Sequence, residues 1–105
     1  MYAKLRKSPR FPFIASAEVT ELRSEARLRA RTSDLSREGC YLDMLNPLPN
    51  GTPLKIQVTH QDGHFDTTGR VVHSQPHMGM GVAFEEVSGL KAQTLDKWLA
   101  DLGTA

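Results

Sequence analysis

Leu54-Lys55-Ile56-Gln57-Val58-Thr59-His60-Gln61-Asp62-Gly63-His64-Phe65 is the stretch on which the fold turns. Leu54, Ile56 and Val58 take every second position, the period of a strand with one face buried and the other in water. Gln61-Asp62-Gly63 interrupts the run, and Asp-Gly tolerates the positive φ angles of a tight hairpin turn. Phe65 to His73, with Val71 and Val72, reads as the returning strand.

Working outward, short β-prone segments separated by turn residues recur from Phe11 onward, at the spacing of an all-β barrel or sandwich. Phe13 to Glu21 interleaves Ala15, Ala17 and Val19 with Ile14, Ser16, Glu18 and Thr20. In Ala26 to Ser33, alternation sends Ala26, Leu28 and Ala30 to the core and Arg27, Arg29 and Arg31 toward water or a ligand. Gly39 to Met44 is a third strand, followed by a loop through Pro47, Pro49, Asn50 and Gly51. Gln75-Pro76-His77 makes a further turn before a sixth strand, Met80 to Phe84. The period then changes. Ser88 is placed to cap a helix that carries Leu95, Trp98, Leu99 and Leu102 on one face and ends near Leu102, with Gly103 just after it.

The 105 residues fit one domain, and 39% hydrophobic with 24% charged residues is ordinary globular composition. Cys40 is the single cysteine, so no internal disulfide is expected. There is no apolar run of the roughly 20 residues that span a bilayer. The basic start MYAKLRKSPRFPF lacks the apolar core of a secretory leader, so a soluble cytoplasmic protein is expected. A net charge of +1 makes nucleic acid an unexpected partner, although Lys4, Arg6, Lys7 and Arg10 concentrate charge in a short arm suited to a local anion. His60, His64, His73 and His77 show no compact spacing with carboxylates or cysteine, so no metal site is expected. Cys40 reads as a small core residue. No nucleophile–base pair or paired acids point to catalysis.

Two motifs carry chemistry: Arg6-Lys7-Ser8-Pro9-Arg10, and Asp34-Leu35-Ser36-Arg37-Glu38-Gly39. In this order they resemble the PilZ family signature, RxxxR followed by (D/N)xSxxG. The likeness continues through Gly39-Cys40-Tyr41-Leu42, then Gly51 with Leu54 and Ile56. It ends with Gly69-Arg70-Val71-Val72-His73, where His73 stands at a position often held by tryptophan, and Met80-Gly81-Val82-Ala83-Phe84. This resemblance implies an all-β fold: a six-stranded antiparallel β-barrel over residues 11–86, a flexible arm at 1–10 and a C-terminal α-helix at 88–102. It also implies cyclic di-GMP bound on the outer wall, with no cofactor. Arg6 and Arg10 would clamp the ligand from the arm; Asp34, Ser36 and Gly39 would meet it from the barrel, with Lys7 and Arg31 in support.

The chemistry is consistent with that assignment. Guanidinium groups form paired hydrogen bonds with guanine O6 and N7, pair with phosphate and stack on purines. A carboxylate such as Asp34 accepts from guanine N1–H and N2–H, the Ser36 hydroxyl serves a base edge or a phosphate, and Gly39 admits close backbone approach. Leu5, in place of a third cation, favours one ligand molecule per site. The signal would leave through a partner protein. The competing expectation is a PilZ-like interaction module that binds no nucleotide.

Overall fold

The computed structural model describes residues 8–85 and 87–103. Among them are seven strands, β1 (Phe11–Pro12), β2 (Ser16–Glu21), β3 (Arg27–Leu35), β4 (Gly39–Asp43), β5 (Pro53–His60), β6 (Gly63–Gln75) and β7 (Gly79–Phe84), and one helix, α1 (Gly89–Gly103).

All pairings are antiparallel, and β3, β2, β5, β6, β7 and β4 follow one another until β4 meets β3 again. The six expected strands thus close a barrel, and closure removes the exposed edges an open sheet would present. Its interior is filled by the alternating residues: Val19 from β2, Leu54, Ile56 and Val58 from β5, Phe65 and Val71 from β6, Met80 and Val82 from β7, and Cys40 and Leu42 from β4.

Several expectations need correction. The first predicted strand, Phe13 to Glu21, is shortened to β2, and the short strand β1 forms just before it. Between them the fully buried Thr32 adds side-chain bonds to the backbone ones: its hydroxyl donates to the Phe13 carbonyl (2.5 Å) and accepts from the Ala15 N–H (2.9 Å). Ala26 is exposed rather than inward, because β3 begins one residue later; Leu28 and Ala30 are half-buried. Gln61, not Asp62 or Gly63, takes the positive φ (55°) in the β5–β6 turn. Gly63 instead opens β6 beneath the Trp98 indole, where a Cβ would lie 3.1 Å from Cζ2. Gly103 is the last residue of α1, not the residue beyond it.

The helix lies against β6 and β1. Leu95 and Trp98 are its buried residues, and the Trp98 ring meets Phe13 (5.5 Å between centroids), His60 (5.7 Å) and Phe65 (6.4 Å). None of the described helices is long and apolar enough to cross a membrane.

Cys40 is wholly buried, and that burial pushes its thiol pKa well up, with the Asp34 charge adding to the effect and Arg10 opposing it. Since the thiolate is the reactive form, the native protein is expected to react very slowly with a thiol-specific disulfide reagent at pH 8, and stoichiometrically once denatured. Rapid native labelling would show that β4 opens readily.

Candidate functional site

Alternation along β3 sends Arg27, Arg29 and Arg31 outward and Thr32 inward, and would next bury Asp34 and expose Leu35. A β-bulge prevents this. The β3–β4 register runs Arg31↔Asp43, Thr32↔Leu42, then Asp34↔Tyr41 and Leu35↔Cys40, leaving Ser33 as the extra residue. One inserted residue reverses the phase of everything after it. Leu35 is therefore fully buried, while Asp34 stands on the outer wall with its side chain 23% exposed.

Arg10 reaches that carboxylate because of β1. Phe11 and Pro12 pair with Leu35 and Asp34, a position where proline costs little since it lies on a short flanking strand. The residue just before β1 is thereby delivered beside Asp34, and the Arg10 guanidinium donates to Asp34 Oδ2 in a close ion pair. The other carboxylate oxygen accepts the Tyr41 N–H at 3.1 Å. Both Arg10 and Asp34 are largely shielded, with side chains 19% and 23% exposed, so their attraction is less screened than that of a surface pair.

Ser36 and Gly39 lie in the turn that follows Asp34. Ser36 is buried, and its hydroxyl oxygen accepts from the Glu38 and Gly39 N–H groups, each at 3.2 Å. The Ser36 N–H donates to the Gly39 carbonyl at 2.8 Å, and the Glu38 carbonyl accepts from Phe84 at 2.8 Å. This turn is tied to itself and to β7. At Gly39 an added methyl would overlap the Val82 carbonyl oxygen; the backbone whose approach demands glycine is that of β7. Arg31 is exposed and pairs with Asp43 at 3.6 Å. Arg6, Lys7 and Leu5 lie outside the described residues.

Two participants escaped the reading of the sequence. Tyr41, directly opposite Asp34, has its phenol pKa raised by burial and then by the nearby Asp43 and Asp34 charges. Arg37, a variable position of the motif, pairs with Asp96 of α1 at 2.9 Å. Outward alternation from Cys40 and Leu42 was the available signal for Tyr41; nothing local marks Arg37. A separate cleft of about 400 Å³ lies between the β5–β6 turn and α1, lined by Phe13, His60, Asp62, Trp98 and Asp101 among others. It contains none of the motif residues. Among the described residues no group of three or more His, Cys, Asp or Glu could hold a metal ion.

The fold and the motifs together define a small domain: a closed antiparallel barrel filled by side chains, with an arginine–carboxylate pair and a motif-bearing turn on its outside. The PilZ domain model matches residues 4–101, and the chain belongs to that family. Solved structures agree in fold. The PilZ domain of CeSA from a cellulose-synthesizing bacterium superposes with a TM-score of 0.71 at 20% identity, covering 91% of this chain and 99% of that one. The PilZ domain of Escherichia coli YcgR, solved with c-di-GMP, gives 0.73 at 20% identity over 95% and 92% of the two chains. The Bacillus subtilis inhibitor of motility MotI/DgrA gives 0.75 at 13% identity, over 94% of this chain and 51% of that one. No curated protein matches the sequence.

Proposed function

We propose that this chain is a cytoplasmic receptor for cyclic di-GMP, a binding module and not an enzyme, which passes its signal to a partner protein. The observation that carries the reading is the convergence of Arg10 on the outward Asp34, in a chain of the PilZ family whose structural neighbours include YcgR with c-di-GMP bound. The pair offers, side by side, donors for a phosphate or a purine O6/N7 edge and acceptors for guanine N–H groups. Arg6 would add a second guanidinium from the arm. Ser36 and Gly39 act here chiefly by holding the turn that follows Asp34. The single, buried Cys40 suits a reducing compartment.

Calorimetric titration with cyclic di-GMP tests the reading. Wild-type protein is expected to bind saturably, with one ligand molecule per site as Leu5 implies. Hydrogen bonds to charged groups contribute about 1.5–3 kcal/mol each, so Asp34→Ala should weaken binding by about 10- to 150-fold. Arg6→Ala/Arg10→Ala should weaken it at least as much, with the thermal melting of either variant showing a folded barrel. Absence of heat with wild-type protein up to millimolar ligand would overturn the receptor assignment.

One observation favours the second reading, an interaction module that binds no nucleotide. Asp34 is already satisfied by Arg10 and Tyr41, and Ser36 is turned inward. A ligand must therefore exchange existing bonds for its own. The titration decides between the two.

A further inference from the structure

The register of four neighbouring strands sets one row of residues across the outer wall: Asp34 on β3, Tyr41 on β4, Gly81 on β7 and His73 on β6. Directly opposed residues of an antiparallel pair have Cβ atoms about 5 Å apart, so Tyr41 springs from the wall immediately beside the Asp34 carboxylate. Cys40 and Leu42 point inward and are fully buried, which sends Tyr41 outward. On its far side β7 presents no side chains, because its outward positions there are Gly79 and Gly81. The Tyr41 ring reaches β7 at Gly79, where an added Cβ would come within 2.8 Å of Tyr41 Cε2. The phenol ring thus lies against the β7 backbone at Gly79, on the strand next to the one that carries Asp34.

From this arrangement we infer that Tyr41 is the platform on which a purine base of the ligand stacks while its edge is read by Arg10 and Asp34. The inference rests on the receptor reading and adds a residue to it. Edge recognition and face recognition are separate requirements: hydrogen bonds distinguish the base, and a preplaced ring supplies sequence-tolerant stacking worth about 1–3 kcal/mol per base, or about 5- to 150-fold in affinity. A tyrosine already fixed on the barrel forfeits little side-chain freedom when the base arrives.

The test uses the whole chain, with cyclic di-GMP as the probe. Tyr41→Phe keeps the ring and should bind as wild type does. Tyr41→Leu keeps apolar cover over Gly79 but has no π face, and should lose about tenfold in affinity. Tyr41→Ala should lose as much; if it fails to fold, the leucine variant carries the comparison. In wild-type protein the Tyr41 ring resonances should move upfield on saturation, a shift that a merely structural tyrosine would not show. Wild-type binding with an unaffected Tyr41→Leu variant, or with unshifted ring resonances, overturns the platform and leaves the receptor standing. No binding by wild-type protein overturns the receptor, and the platform with it.

Discussion

Gly39→Ala is expected to destabilise the barrel by about 3 kcal/mol or more, the upper range for forcing a methyl into a packed interior. The added carbon would overlap the Val82 carbonyl oxygen, and this obstruction is backbone, which cannot rotate aside as a side chain can. Nor can β4 and β7 separate cheaply at this point. Gly39 sits opposite Ala83 in the ladder, and the Phe84 N–H is bonded to the Glu38 carbonyl at 2.8 Å. Urea denaturation followed by Trp98 fluorescence would report the loss as a lower midpoint. The comparison with Arg10→Ala is informative: that variant should melt near the wild type but bind poorly, whereas Gly39→Ala should lose binding because it loses the barrel. An unchanged midpoint would show that the ligand, not β7, is what requires glycine here.

Trp98→Ala should be comparably damaging, at about 3–5 kcal/mol for truncating a buried tryptophan. Its ring fills the space among Phe13, His60 and Phe65 and covers Gly63, and Leu95 is the other buried anchor of α1. A helix of 15 residues is marginal in water without such packing. Arg37–Asp96 at 2.9 Å and Lys91–Asp66 at 3.5 Å also tie the helix down, as exposed pairs of small individual value. The expected result is therefore loss of helical circular dichroism at 222 nm together with a lower melting temperature, with Trp98→Phe intermediate. Retained helix signal in the alanine variant would mean that α1 is held by contacts other than its tryptophan. Because α1 also meets β1, its release should loosen the segment that delivers Arg10.

The strands were legible wherever one face is buried and the other wet. Leu54, Ile56 and Val58 are all fully buried, as their alternation requires. The helix was legible for a similar reason, since Leu95 and Trp98 repeat at its period. What the alternation could not show was β1. Phe11-Pro12 is too short to display a period, and proline argues against a strand unless its flanking position is already known. Both motifs of the candidate site were visible in the sequence, but the bonds their residues make within the protein were not. Ser36 and Gly39 have the residue types of ligand contacts; the structure adds that one bonds its own turn and the other fits against β7.

By itself the sequence determined which segments are strands, which face of each is apolar, where the helix begins to replace them, and which family signature the chain carries. These are local properties, because period and turn chemistry act over a few neighbouring residues. Only the tertiary structure decided the outward placement of Asp34, the docking of Arg10 beside it and the position of Tyr41 against the β7 backbone at Gly79. Each depends on a strand distant in the chain. Ser33 is an extra residue only in relation to β4, and Arg10 meets Asp34 only because β1 pairs with β3. Cross-strand register is set by closure of the whole barrel, and a shift of one residue exchanges inside for outside.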